Sequence, residues 1–211
     1  VLANIKNVFT NPDKSMLYVL AGILFWFMAY NALETGLSSF AVFSLGIEPG
    51  SASIYASVMT VSFILFAVPS GLLAQRIGRR RTIQIGLTGM VLLFLAGYFI
   101  IQNIPTLLIV LVLGGFFWAL INVNSLPLVY DFGDEKRIGA YTGMYYFSSQ
   151  LASVLGPTLG GVLVDVMGDQ YRWLFIFGTV FMALAWLAMR GVQEKRITQP
   201  AIVEMAPGTE E

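Results

Sequence analysis

Long apolar stretches separated by short polar turns make up nearly all of this chain. Their lengths are those of bilayer-crossing helices, not of core helices in a soluble domain. Spans are expected at Met16–Phe43, Ser53–Leu73, Thr82–Ile101, Thr106–Tyr130, Gly139–Val166 and Arg172–Met189. The polar punctuation agrees with them. Gly46 to Ser51, with Glu48-Pro49-Gly50, reads as the first turn, and Gln102-Asn103-Ile104-Pro105 has room only for a tight hairpin. Asp131 to Arg137 is a charged loop, and Asn11-Pro12-Asp13 reads as a helix start with an N-cap, a first-turn proline and an acid at the positive end. The expected organisation is a linker over 1–14, a six-helix bundle over 15–191 and a disordered tail over 192–211.

An even number of spans puts both ends of the chain on one side. Lys6, Lys14, Arg76, Arg79, Arg80, Arg81, Lys136, Arg137, Arg190, Lys195 and Arg196 then share that side, and Arg172 alone falls on the other. The positive-inside rule makes the first side cytoplasmic and the expected location a cell membrane. Composition narrows the chemistry further. Charged residues are 11% of the chain, against about a quarter in a soluble domain. Cysteine and histidine are absent, so disulfides, thiolate chemistry and His-based metal or triad sites are excluded. No metal-ligand cluster, nucleophile–base set or phosphate loop is present, so neither an enzyme, a cofactor nor a nucleic-acid partner is expected. The opening at Val1 without a leader-like segment suggests a piece of a longer chain.

A polar group at mid-membrane costs roughly 2.5–3.5 kcal/mol on insertion scales, so its helix should face protein or water. The third and sixth spans carry little beyond Gln84 and Thr179 and read as lipid-facing, whereas the first and fourth carry Asn31, Glu34, Asn122 and Asn124 and should line a cavity. Glu34 lies about 27 Å from Met16 along an ideal helix, in the outer half of a long span. Phe27, Asn31 and Glu34 fall on one helix face. With Tyr30 they form an aromatic, amide and carboxylate set suited to a sugar ring, and burial would let Glu34 carry a proton. The other reading of Glu34 is an interfacial anion on a helix that leaves the bilayer early. Asn122 and Asn124 point to different sides; Trp118, one turn before Asn122, favours Asn122 for the cavity and leaves Asn124 to bond a neighbouring helix, the other reading being that both amides bond between helices. Gln150, near the middle of the fifth span, is a further ligand candidate, and Gly156 with Gly160 reads as a close-packing pair beside Pro157.

Gly71-Leu72-Leu73-Ala74-Gln75-Arg76-Ile77-Gly78-Arg79-Arg80-Arg81 resembles the loop signature of the major facilitator superfamily, with Gln75 where that family usually has Asp. Asp131 followed by Arg137 and Gly139, Gly156-Pro157-x-x-Gly160-Gly161, and Arg172-Trp173-Leu174-Phe175 resemble further segments of it. The resemblance implies an all-α fold of six helices in a 3+3 inverted repeat, half of a twelve-helix transporter, and Gln75 with the segment before the first span points to its C-terminal half. Tyr30-Asn31-Ala32-Leu33-Glu34-Thr35 and Asn122-Val123-Asn124-Ser125-Leu126-Pro127 are most similar to sucrose-transporter-like members of the glycoside–pentoside–hexuronide group, which implies proton-coupled sugar symport by alternating access. On that reading Phe27, Tyr30, Asn31, Glu34, Asn122 and Gln150 contact substrate, and Glu34 couples the proton. Gly71, Gln75, Arg76, Gly78, Arg79, Arg80, Asp131 and Arg137 form a conformational gate. The partners would be a sugar, a proton, the bilayer and an N-terminal six-helix half. A drug or small-molecule exporter of the same superfamily, with a more apolar cavity, and a non-transporting sensor or scaffold are the alternatives.

Gln75 cannot neutralise Arg76 or Arg79 as Asp would. Gln75→Asp in the complete transporter is therefore expected to favour the outward-facing state. Unaltered cysteine accessibility on both faces would contradict this.

Overall fold

The computed structural model describes residues 14–132 and 138–192. The expected linker and tail lie outside the described residues apart from Lys14 and Val192, as does the helix start at Asn11. The described residues form six α-helices: α1 (Ser15–Leu45), α2 (Pro49–Ile77), α3 (Arg79–Ile100), α4 (Ile104–Asp131), α5 (Ile138–Val166) and α6 (Trp173–Arg190). All are long and apolar enough to cross a membrane, so this is a multi-pass membrane protein.

The helix ends run past the apolar stretches. α1 stops at Gly46, whose φ of 68° lets its N–H and that of Ile47 return to the carbonyls of Val42 and Ala41. α2 then begins at Pro49 itself, because proline at the first helical position has the right φ and no N–H to strand. The expected turn from Gly46 to Ser51 is correspondingly shorter. At the other end the basic loop shrinks to Gly78 (φ 91°): Arg76 lies in the last turn of α2, and Arg79, Arg80 and Arg81 lie in the first turn of α3. Arginine is a good helix former, so leaving the apolar region does not end a helix. The α3–α4 hairpin closes on a capping box, in which Asn103 accepts from the Thr106 N–H (3.1 Å) and Thr106 accepts from the Asn103 N–H (3.3 Å).

Packing follows an inverted repeat of α1–α3 and α4–α6. α2 packs along α4 and α5 along α1; α3 packs on α4 and α6 on α1; α3 and α6 pack on each other. Contacts inside one repeat are sparse by comparison. Two close approaches mark the equivalent crossings. A Cβ at Gly115 would fall on the Met59 carbonyl of α2, and one at Gly156 would meet the Met28 carbonyl of α1 at 2.5 Å. Ser62 and Ser70 add hydrogen bonds from α2 to the carbonyls of Val112 (2.6 Å) and Ala119 (2.8 Å) on α4. α3 and α6 are less lipid-facing in this unit than their composition implied: they bury Leu87, Met90 and Phe94, and Phe175, Met182 and Ala185. α2 is the most exposed helix, with Ile54, Val61, Leu65, Val68 and Leu72 uncovered along it.

The antiparallel pair α3 and α6 is joined at both ends by arginines. Arg80 Nε and Nη2 donate to the carbonyls of Met189 (3.2 Å) and Arg190 (3.1 Å), closing the C-terminus of α6, with Gln84 Nε2 also reaching Met189 O (3.4 Å). Arg172 Nη1 and Nη2 donate to the carbonyls of Tyr98 (2.6 Å) and Ile101 (2.8 Å), closing the C-terminus of α3. Each cation therefore sits at the negative end of its partner helix, which offsets the cost of a positive charge in or before its own first turn. Either Arg80→Ala or Arg172→Ala is expected to cost about 1.5–3 kcal/mol, the range for hydrogen bonds to a charged donor. The loss should appear as a lower thermal midpoint in detergent; an unchanged midpoint for both variants would refute the assignment.

Candidate functional site

A row of aromatic rings links α5, α1 and α4. Tyr145 on α5 shares a 3.1 Å hydrogen bond with Ser125 and meets Phe27 edge-on at 6.3 Å. Phe27 meets Trp118 edge-on at 5.4 Å, and Trp118 lies flat on Tyr30 with centroids 4.0 Å apart and planes 6° from parallel. Trp118 is 3% exposed, so its ring is held by packing and in turn holds Tyr30. The Tyr30 hydroxyl then donates to Glu34 Oε1 at 3.1 Å, one helical turn on. The row thus ends on a carboxylate whose direction is set by its neighbours.

Glu34 is exposed on the six-helix unit and stands at a cavity of about 260 Å³ toward the hairpin end of the bundle. Tyr30, Leu33, Glu34 and Leu37 of α1 line it, with Ser53, Ser57 and Thr60 of α2 and Leu107, Val110 and Leu111 of α4. Phe94 of α3 and Phe175 of α6 complete its inner wall. The lining is mostly apolar. Of the candidate ligand residues, the structure brings Phe27, Tyr30 and Glu34 together through Trp118, and Tyr30 and Glu34 reach the cavity.

The amides lie elsewhere. Asn31 and Asn122 are half-buried, have no side-chain hydrogen bond among the described residues and do not line this cavity. Gln150 is exposed on α5, where its Oε1 accepts from Ser153 Oγ at 3.5 Å. Asn124, 3% exposed, donates to Ser70 Oγ (3.0 Å) on α2 and to Leu120 O (3.0 Å), so it bonds the neighbouring helix as its position two residues from Asn122 suggested. Sequence reasoning missed the α2 hydroxyls. Their signal was available, since Ser53, Ser57 and Thr60 recur at helical spacing on one face.

At the basic end a second cavity of about 620 Å³ is lined by Gly71, Gln75, Gly78, Arg79, Arg80, Arg81, Asn124 and Asp131. Arg79 forms an ion pair with Asp131, tying the start of α3 to the end of α4. Arg80 is engaged with α6 as described, so its side chain serves the scaffold. Arg76, Gln75 and Arg81 are exposed. Arg137 lies outside the described residues. By the inverted repeat, Tyr171 before Arg172 corresponds to Arg79 before Arg80. It stacks on Phe43 in the last turns of α1 (5.6 Å, 15°), as Arg79 meets Asp131 at the end of α4.

The chain belongs to the Major Facilitator Superfamily, whose family model matches residues 16–207. It is similar to an uncharacterized transporter of this type, YfkF of Bacillus subtilis, with 30% identity over 196 residues, 85% of this chain and 48% of that protein. It is also similar to the quinolone resistance protein NorB of Staphylococcus aureus, with 29% identity over 196 residues, 90% of this chain and 40% of that protein. The fold matches a crystal structure of the E. coli fucose:proton symporter FucP with a TM-score of 0.74 and 16% identity, covering 86% of this chain and 43% of that one. A structure of FucP in the outward conformation matches with a TM-score of 0.73, also at 16% identity. The chain thus spans less than half the length of these relatives.

The Arg79–Asp131 pair is partly exposed, with side chains 40% and 28% accessible, so its expected stabilisation is at most about 1 kcal/mol. Asp131→Asn is expected to lower the thermal midpoint less than Arg80→Ala. The reverse order would show that the scaffold role belongs to Arg79.

Proposed function

We propose that this chain is the C-terminal six-helix half of a secondary transporter that carries an apolar-bodied small molecule, coupled to protons through Glu34. The observation that carries the reading is the cavity beside Glu34, whose lining is apolar apart from that carboxylate, Tyr30 and the α2 hydroxyls. A sugar exposes hydroxyls on every side and needs many partners, since each buried unpaired polar group costs about 1–3 kcal/mol. The amides expected to supply those partners, Asn31, Asn122 and Gln150, are not part of this lining. The small-molecule exporter alternative is therefore preferred over sugar symport. Similarity to a protein named for quinolone resistance is in keeping with it. The likeness to a fucose:proton symporter, at 16% identity, speaks to fold.

The placement as a C-terminal half is supported by Gln75 at the usual Asp position of the loop. The orientation, with the arginine end cytoplasmic, follows from the one-sided distribution of Lys and Arg. The exposed apolar side chains of α2 and α5 offer a surface for the N-terminal half. Alternating access would rock one half against the other around the central site.

One specific observation keeps sugar symport as a second reading: the Tyr30–Trp118 stack beside a tethered carboxylate is a platform for a ring. Uptake into proteoliposomes containing the complete protein separates the two, using labelled sugars and a labelled amphipathic aromatic compound at two external pH values. Movement of the aromatic compound driven by the pH gradient is expected, and its abolition by Glu34→Gln. Gradient-driven accumulation of a sugar alone would replace this reading with the second, and undiminished transport in the variant would remove Glu34 from coupling.

A further inference from the structure

Among the described residues, Glu34 is the only charged side chain lining the hairpin-end cavity. One of its carboxylate oxygens accepts from Tyr30, and the other has no partner among the described residues. Arg172, the cation at this end of the described chain, is committed to the carbonyls of Tyr98 and Ile101 and lies 5.8 Å from the centre of the Phe40 ring. Among the described residues the Glu34 carboxylate therefore has no cationic partner. Tyr30 is fixed twice, by Trp118 flat against its ring and by its hydroxyl on Glu34, and its remaining surface lines the cavity. A negative group beside a rigid aromatic ring, above apolar walls, is the complement of a cation attached to an apolar body.

We propose that this cavity takes a small organic cation, an ammonium group on a body of about one ring, seated between the Glu34 carboxylate and Tyr30. The inference rests on the transport reading above and narrows its substrate class. Size follows from the volume, about 260 Å³, which is below the roughly 300–1,000 Å³ of pockets for drug-sized ligands. A carboxylate ligand would meet Glu34 as a like charge and be repelled. A neutral polyol would find little beyond the α2 hydroxyls, and that of Ser57 already donates to Ile54 O at 2.6 Å.

Three probes of one shape test this on the complete protein in nanodiscs: phenethylammonium, phenethyl alcohol and phenylacetate. Binding is read by tryptophan fluorescence, since Trp118 stacks on Tyr30. The ammonium is expected to bind about tenfold more tightly than the alcohol, the scale of a charge-assisted contact over a neutral one, and phenylacetate most weakly. Glu34→Gln should bring ammonium and alcohol to within about twofold of each other, and retained alcohol binding shows that the cavity is intact. Equal affinities for ammonium and alcohol in the unaltered protein overturn the proposal without reference to any variant, as does a preference that survives Glu34→Gln. Cation preference without any transport in proteoliposomes would sink the transport reading while leaving this inference standing. Transport of the alcohol without cation preference would do the reverse.

Discussion

The structure depends on the crossed packing of its two three-helix repeats. Within either repeat the helices touch little, and the large interfaces run between repeats: α2 on α4, α5 on α1, and α3 and α6 on each other. In a membrane there is no hydrophobic gain from pairing helices, because lipid is as apolar as leucine. Association must come from close packing and from polar groups that find partners. The crossings supply both. Gly115 and Gly156 bring backbones together at equivalent places, and Ser62, Ser70 and Asn124 place hydrogen bonds along the α2–α4 seam. The site inherits its rigidity from this arrangement, since the cavity walls come from α1, α2, α3, α4 and α6.

Helix ends raise the second problem. The last carbonyls of each helix lack partners within that helix and carry partial negative charge. The α3–α6 pair solves this reciprocally with Arg80 and Arg172. The consecutive arginines at the start of α3 consequently have different work. Arg79 reaches Asp131 on α4, Arg80 holds α6, and Arg81 is exposed. Of these loop residues, one thus holds the scaffold and one forms an ion pair between α3 and α4. At the opposite end the equivalent place is taken by Tyr171 on Phe43, an aromatic contact where the basic end has an ionic one.

Much of this was legible in the sequence, because the relevant physics is local. Span number follows from apolar length, and the close-packing role of Gly156 from its small-residue spacing. That Asn122 and Asn124 have different surroundings follows from their separation along one helix, although Asn122 does not line the cavity expected for it. Boundaries were less legible. Apolar runs mark where lipid ends, whereas helices continue until a glycine with positive φ or a proline start allows a turn, so the arginines proved helical.

The sequence by itself determined an all-α membrane protein of this superfamily and put Tyr30 and Glu34 on one helix within hydrogen-bonding reach. Which groups share a cavity was decided only by tertiary structure. Periodicity assigns a residue to a face of its own helix, but not to the neighbour that face meets. Hence Asn31 and Gln150, polar and mid-span like Glu34, do not line its cavity, while Phe94 and Phe175, from helices that looked purely lipid-facing, form its inner wall. The partner of Arg80 is likewise more than a hundred residues away along the chain, as distances in sequence of 109 and 110 make plain. Only the antiparallel docking of α3 on α6 brings that guanidinium to a carbonyl that needs it.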